Sequence, residues 1–227
     1  MNVAIILAGG NSERMKKIDK IFHKINGKPL IFYTIKVFET HPKINEIVVV
    51  TKRGNFKKFH SLIKKYKFKK IIKIVEGGKI RQESAFNGLK SLNNKRGDLI
   101  LFHNGVNPLI SKEEISNVMS ATRKHGAALV GQIAKDTIKE VDKKSFVVRT
   151  IDRQKVFLAQ TPQVIEYDLA KRVFSKAQNE GFKGTDDVSL VERIGKRVKV
   201  VPCSYKNIKV TTKDDLILVK SFLEQKQ

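Results

Sequence analysis

Residues 3–15 read VAIILAGGNSERM, and the fold turns on how this stretch is read. Val3 to Ala8 are apolar without alternation, as in a strand buried on both faces. Two glycines follow, then three polar residues and Arg14. Glycine at the end of a buried strand lets the backbone turn sharply and offer N–H groups to an anion. Ala8, Gly9 and Gly10 are therefore candidate nucleotide contacts, with Arg14 as a fixed charge beside the phosphates and Lys20 as a second one downstream. No GK[ST] follows, so this is not a Walker A loop, and the third glycine of the dinucleotide fingerprint is missing. A glycine pair after a strand is often a plain turn; the two cations in reach favour triphosphate.

Outward from this strand, helical and β-branched segments alternate. Pro29–Thr40 reads as a helix with proline in its first turn, and Glu46–Thr51 as a strand. Asn55–Tyr66 reads as a helix, Ile71–Val75 as a strand, Arg81–Leu92 as a helix and Asp98–Phe102 as a buried strand. Ser111–His125 reads as a helix capped by serine with acids in its first turn. This rhythm predicts an α/β, Rossmann-like, mostly parallel sheet flanked by helices, with ligands beyond the C-terminal ends of the strands. It then changes. Ala127–Gln132, Thr137–Val141, Phe146–Thr150 and Val156–Ala159 read as short strands, and KEVDKKSFVV (139–148) as a hairpin. A projecting antiparallel β-arm over 134–155 is expected, within a single domain spanning 1–227. Helices near Tyr167–Asn179 and Asp186–Ile194, a strand at Val198–Pro202 and a helix at Lys213–Glu224 close the chain.

Composition narrows the function. The 227 residues carry a formal net charge of +24, and the lysines are spread over nearly every segment. Lysine far outnumbers arginine, aromatics are 7% and tryptophan is absent. That argues against a nucleic-acid surface, which favours arginine forks and stacking rings; the charge reads either as lysine solvating helix faces or as a field that attracts small anionic substrates. One cysteine, Cys203, excludes an internal disulfide framework and suits a reducing, cytoplasmic setting. No apolar run reaches membrane-spanning length, and the opening MNVAIILAGG lacks the basic start of a signal peptide. The histidines lie apart, with no zinc spacing, and there is no GxSxG.

Further motifs follow in order: VEGGKIRQESAFNGL (75–89), HNGVNP (103–108), DTIKEV (136–141), TIDRQKVFLAQTPQ (150–163), TDDVSL (185–190) and NIKVTTKDDL (207–216). Gly78 before a helix start allows close backbone approach, with Arg81 and Ser84 beside it as candidate nucleotide contacts; serine is also simply common in a first helical turn. Together with LAGG-x-S-x-RM, these segments resemble the 2-C-methyl-D-erythritol 4-phosphate cytidylyltransferase family over essentially the whole chain.

The resemblance implies transfer of a cytidylyl group from CTP to a polyol phosphate with Mg²⁺ and release of pyrophosphate. It implies Arg14, Lys20 and Lys209 as catalytic cations. It implies Asp136, Thr137, Arg153, Thr161 and Thr185 as polyol-phosphate contacts, and a homodimer whose arm crosses to the partner's site. For the threonines, β-propensity and capping are equally good readings; Thr185 precedes two aspartates as an N-cap would. The chain departs from the family at HNGVNP, where HDAARP or HDAVRP is usual. Asn104, in the nucleotide site, replaces a metal-holding aspartate and keeps only a carbonyl oxygen for Mg²⁺; Asn107 replaces an arginine. Ser12 replaces a glycine, and Asp19 replaces a proline and adds a carboxylate near the phosphate grip. Ribitol-5-phosphate cytidylyltransferase shares the motif set, and a non-catalytic relative binding nucleotide or RNA is the alternative of another class.

Overall fold

The computed structural model describes residues 1–10, 19–93 and 98–225. Arg14 and Ser12 lie outside them. The described elements in chain order are β1 (Asn2–Leu7), a two-strand hairpin β2 (Lys24–Ile25) and β3 (Lys28–Pro29), α1 (Leu30–Glu39), β4 (Glu46–Thr51), α2 (Phe56–Tyr66), β5 (Ile71–Glu76), α3 (Arg81–Lys90) and β6 (Leu99–Asn104). Then come α4 (Lys112–His125), β7 (Ala127–Ile133), β8 (Ile138–Val141), β9 (Val147–Ile151), β10 (Phe157–Glu166), α5 (Tyr167–Asn179), α6 (Ser189–Arg193), β11 (Lys199–Pro202) and α7 (Lys213–Glu224).

Seven strands form one sheet in the order β11-β7-β10-β6-β1-β4-β5. β10 pairs antiparallel with both neighbours and the other pairs are parallel, so β10 alone runs against the rest. β1 lies inside the sheet, between β6 and β4, and explains its own composition. Ala4 and Ile6 pack on one face with Ile31, Ile35, Phe38, Phe59 and Val118, from α1, α2 and α4. Val3 and Ile5 pack on the other with Ala85, Leu89, Val173 and Phe174, from α3 and α5. A strand covered on both faces has no polar side to show, hence the unbroken apolar run. α3 lies close to the sheet because of Gly88: a Cβ there would stand 2.7 Å from Ile5 Cγ2 and 2.9 Å from Val50 Cγ2. α7 caps a smaller cluster in which Val210, Leu216 and Val219 meet Leu30 and Ile25.

Three differences from the sequence reading have local causes. Only β8 and β9 form the arm; β7 and β10 belong to the main sheet. β10 continues past Ala159 to Glu166 because its ladder with β7 breaks between Ala159 and Gln163, and Pro162, which has no N–H to donate, falls in that break. Pro29 is not in the first turn of α1 but precedes it, closing β3 after the Asn26–Gly27 turn, where φ is +48° and +76°. Positive φ at both central residues is the geometry that selects Asn-Gly in a two-residue hairpin.

Candidate active site

A cleft of about 680 Å³ opens beyond the C-terminal ends of β1, β4, β5 and β6. Gly9 and Gly10 line it from the end of β1, Lys52 from the end of β4, Gly77–Arg81 from the turn after β5, and Asn104 from the end of β6. Lys20 and Lys209 complete the wall. A groove of about 730 Å³, lined among others by Arg172, Lys196 and Arg197, lies where β7 and β11 begin. It holds none of the motif residues, and strand beginnings are not where such sheets bind ligands.

Each wall is built by local chemistry. Thr51 Oγ1 donates to the Ala8 carbonyl at 3.0 Å, and Ala8 N–H donates to Val50 O at 2.7 Å. Ala8 is thus spent on the sheet and supports the cleft without lining it, while Gly9 and Gly10 face it. In the next wall Gly77 N–H donates to Thr51 O, Gly78 N–H to Ser84 Oγ, and Lys79 N–H to Glu83 Oε2. The turn is drawn so tightly over the first turn of α3 that a Cβ on Gly78 would fall 2.2 Å from Glu83 Cβ. Ser84 therefore pins this turn, and its hydroxyl donates to Ile80 O.

The Lys209 loop is fixed on both sides. Asn207, fully buried, donates from Nδ2 to Thr161 O at 3.0 Å, and Val210, also buried, donates its N–H to Val106 O at 2.9 Å. The Thr212–Asp215 capping box then starts α7. Burial works against the Asp215 charge, but N–H and hydroxyl donors of Thr211 and Thr212 outweigh it and hold its pKa below the ordinary value.

The floor is an interlocked set. Arg81 makes a two-pronged pair with Asp187, at 2.8 and 2.6 Å, and its Nε donates to Asn104 Oδ1 at 3.2 Å. Burial opposes the Arg81 charge, and the neighbouring Asp187 and Asp186 more than restore it. Asn104 Nδ2 donates to Asn107 Oδ1 at 3.3 Å, and Asn104 N–H donates to Thr161 Oγ1 at 3.2 Å. Beneath it His103 is wholly buried, with Nε2 donating to the Asn107 carbonyl. Burial pushes its pKa down to about 4, with the Arg81 charge acting the same way, so the ring is neutral.

The structure thus brings Gly9, Gly10, Lys20, Gly78, Arg81, Ser84, Asn104 and Lys209 to one cleft. It does not bring Asp136, Thr137 or Arg153 there: all three stand exposed on or beside the arm, and among the described residues Arg153 reaches the Lys135 carbonyl. Thr161 is buried, its hydroxyl taken by the Asn104 N–H. Thr185 is exposed and is not the cap; Asp186 Oδ1 accepts from Ser189 N–H instead. Asp19 pairs at 3.4 Å with Lys58, on α2, and does not line the cleft. Asn107 is fully buried behind Asn104 and does not face the cleft. Lys52 and Lys79 escaped the sequence reading; their signal was position, directly after a parallel strand or in the turn following one. No group of three or more His, Cys, Asp or Glu is placed to hold a metal among the described residues. Asn104 supplies one neutral oxygen, and that oxygen already accepts from a guanidinium, so these residues do not build a protein-held metal site.

A glycine turn and several lysines at the ends of parallel strands, over a cleft large enough for a triphosphate, are the features of a nucleotide-binding α/β protein. Comparison with known proteins makes the class particular. The sequence profile of 2-C-methyl-D-erythritol 4-phosphate cytidylyltransferase matches residues 2–225, and the chain belongs to that family. It is 42% identical over 228 residues to the enzyme of that name from Caldanaerobacter subterraneus subsp. tengcongensis, covering 99% of this chain and 100% of the relative. It is 40% identical over 225 residues to the one from Clostridium botulinum, covering 99% and 98%. The solved 4-diphosphocytidyl-2C-methyl-D-erythritol synthase from Anaerococcus prevotii superposes with a TM-score of 0.87 at 31% identity, covering 99% of this chain and 98% of that one.

Proposed function

We propose that this protein transfers a cytidylyl group from CTP, as its magnesium complex, to 2-C-methyl-D-erythritol 4-phosphate. The observation that carries the reading is the lysine-walled cleft at the strand ends, where Lys20, Lys52, Lys79 and Lys209 meet two glycine turns. A phosphate oxygen of the polyol attacks the α-phosphorus of CTP; that P–O bond forms as the bond to the bridging oxygen breaks, and pyrophosphate leaves with the electron pair. Both reactants are anions, so the chain's work is positioning and charge, not supply of a nucleophile. Gly9 and Gly10 offer backbone N–H groups to the triphosphate, Lys20 and Lys209 oppose its charge, and Arg14 joins them by sequence. The turn at Gly78 accommodates the cytidine, with Arg81 and Ser84 holding its shape. The relatives reported above carry the methylerythritol name, which favours that acceptor over ribitol phosphate and over a non-catalytic, RNA-binding role.

The polyol-phosphate contacts support a homodimer. Asp136, Thr137 and Arg153 stand outside their own cleft on an exposed arm, as residues serving a second copy would. The whole chain then acts as one domain with residues 134–155 as its dimerisation arm. Two measurements test these readings. Pyrophosphate release from CTP and Mg²⁺ should occur with methylerythritol phosphate and be far slower with ribitol phosphate; release with neither, from protein that binds CTP, rejects the transfer. Arg153→Ala and Lys209→Ala proteins, each impaired alone, should regain activity when mixed and allowed to exchange subunits; no recovery rejects the crossed arm.

A further inference from the structure

The floor network has a direction, and a permanent charge sets it. A guanidinium only donates, so the Asn104 atom facing Arg81 Nε at 3.2 Å is its oxygen. That leaves the Asn104 NH₂ toward Asn107, which answers with its own oxygen at 3.3 Å. The Asn107 NH₂ then faces Gln160, which answers with Oε1 at 3.4 Å. No amide in the series can turn over without setting two donors or two acceptors against each other. The bonds are long, but their order is fixed at its source by Arg81, itself locked on Asp187.

The last member is the one with something left to offer. Asn107 is fully buried, whereas Gln160 is half-buried, on the stretch of β10 where the ladder with β7 is broken. With Oε1 turned inward, both Nε2 protons of Gln160 point away from the relay, and no described residue accepts from them. Gln160 does not itself line the cleft; it stands beside Thr161, whose hydroxyl holds the backbone of cleft-lining Asn104. A donor-only face at that place selects an oxygen acceptor.

We propose that Gln160 is a specificity residue for the polyol phosphate: the relay Arg81–Asn104–Asn107 holds its carboxamide oxygen inward and presents its N–H₂ to a hydroxyl or phosphoryl oxygen of the acceptor. The proposal rests on the transfer reaction proposed above. Asn107, on this reading, is a positioning residue that acts through Gln160.

The test uses the full-length protein and two isosteric variants. Gln160→Glu keeps the inward acceptor and removes the outward donors. Asn107→Asp keeps the acceptor for Asn104 but also draws the Gln160 NH₂ inward, reproducing the defect with Gln160 intact. Each should raise the acceptor KM about tenfold, near the value of one hydrogen bond, and leave the CTP KM within about twofold. The Gln160 side-chain amide signal in a ¹⁵N spectrum, identified by its loss in Gln160→Glu, should shift on adding methylerythritol phosphate and not on adding CTP. Titration with inorganic phosphate and with unphosphorylated methylerythritol tells which oxygen is recognised, and a shift with either supports the proposal. No shift with any of the three, or variants that raise both KM values equally, overturns it. If wild-type protein transfers to no polyol phosphate, the reaction assignment fails, while the amide titration still reports on Gln160.

Discussion

Arg81 and Arg153 show how differently two parts of this molecule are built. Arg81, at the cleft floor, is locked in two prongs to an Asp187 side chain that is 1% exposed, and braces Asn104 as well. Arg153, at the base of the arm, stands in solvent with a carbonyl as its described partner. The floor's main charges are matched within one chain. On the arm, β8 and β9 pair with each other, and Phe146, Val147 and Val148 are each 60–69% exposed. A region whose bonds close on themselves can hold a reaction geometry. A region with exposed charge and apolar surface offers what the proposed second copy would cover.

The largest effect expected is on catalysis without loss of fold. Lys209 is exposed between two buried anchors, Asn207 and Val210, so Lys209→Ala removes the charge and leaves the loop's attachments in place. Turnover should fall by about 10²–10³-fold, the scale of losing one charge-stabilising donor, with the urea midpoint unchanged. Next is the floor's own stability. Asp187→Ala removes both charged bonds from an Arg81 guanidinium that is about one-third exposed, and should cost about 2–3 kcal/mol in urea unfolding. Arg149→Ala on the arm breaks an ion pair with Glu140 that is mostly in water, and should stay within about 0.5 kcal/mol. Equal losses would erase the contrast between the two regions.

Protons probe the same floor. The folded-state pKa of His103, about 4, lies below the ordinary 6.5, so the unfolded chain takes up the proton first. The stabilisation is therefore whole above pH 6.5, is lost as pH falls toward 4 and changes no further below that. Across this window it amounts to about 3 kcal/mol. Urea unfolding at pH 7 and 4.5 should show wild type losing more stability than His103→Gln, which cannot titrate; parallel losses would mean His103 is accessible to protons in the fold.

The two regions also differed in how far the sequence disclosed them. The arm was legible because its hairpin is local: Asp142 Oδ1 accepts from the N–H groups of Lys144 and Phe146, so the turn is written within five residues. β1 was legible because burial on both faces leaves an unbroken apolar string. The helix start at Ser111 was legible because its capping signal is short-range, whereas the capping box at Thr212 went unread. The cleft residues Gly9, Gly10, Lys20 and Lys209 were reached through strand-end logic and motif resemblance. The floor was not legible, since its pairs span up to 106 positions, as from Arg81 to Asp187, and periodicity carries no such information. β10 was read only to Ala159; Pro162 in QTPQ removes a ladder donor just beyond, and the ladder break accommodates it. The Lys24–Pro29 hairpin was missed despite its Asn-Gly turn, because strands of two residues leave no pattern. Asn107 shows the limit most clearly. The resemblance marks an arginine at that position; asparagine there is short enough to be buried whole and is part of the floor.

The smallest effect on the fold should come from the arm's apolar surface, and it separates folding from assembly. Phe146 is 69% exposed, so in a lone chain its ring gains nothing from packing. Phe146→Ser should leave the stability of the monomeric fold within about 0.5 kcal/mol. If two copies exchange arms, the ring is buried in the pair, and burying a phenylalanine side chain contributes about 1.5–3 kcal/mol. Two rings per dimer would then weaken association by at least a hundredfold. Sedimentation of wild type and Phe146→Ser over a range of concentrations reads this directly. A dimer unchanged by the substitution would place the partner's contacts away from the arm tip. A wild-type protein that stays monomeric at every concentration would leave Arg153, Asp136 and Thr137 with no second cleft to serve.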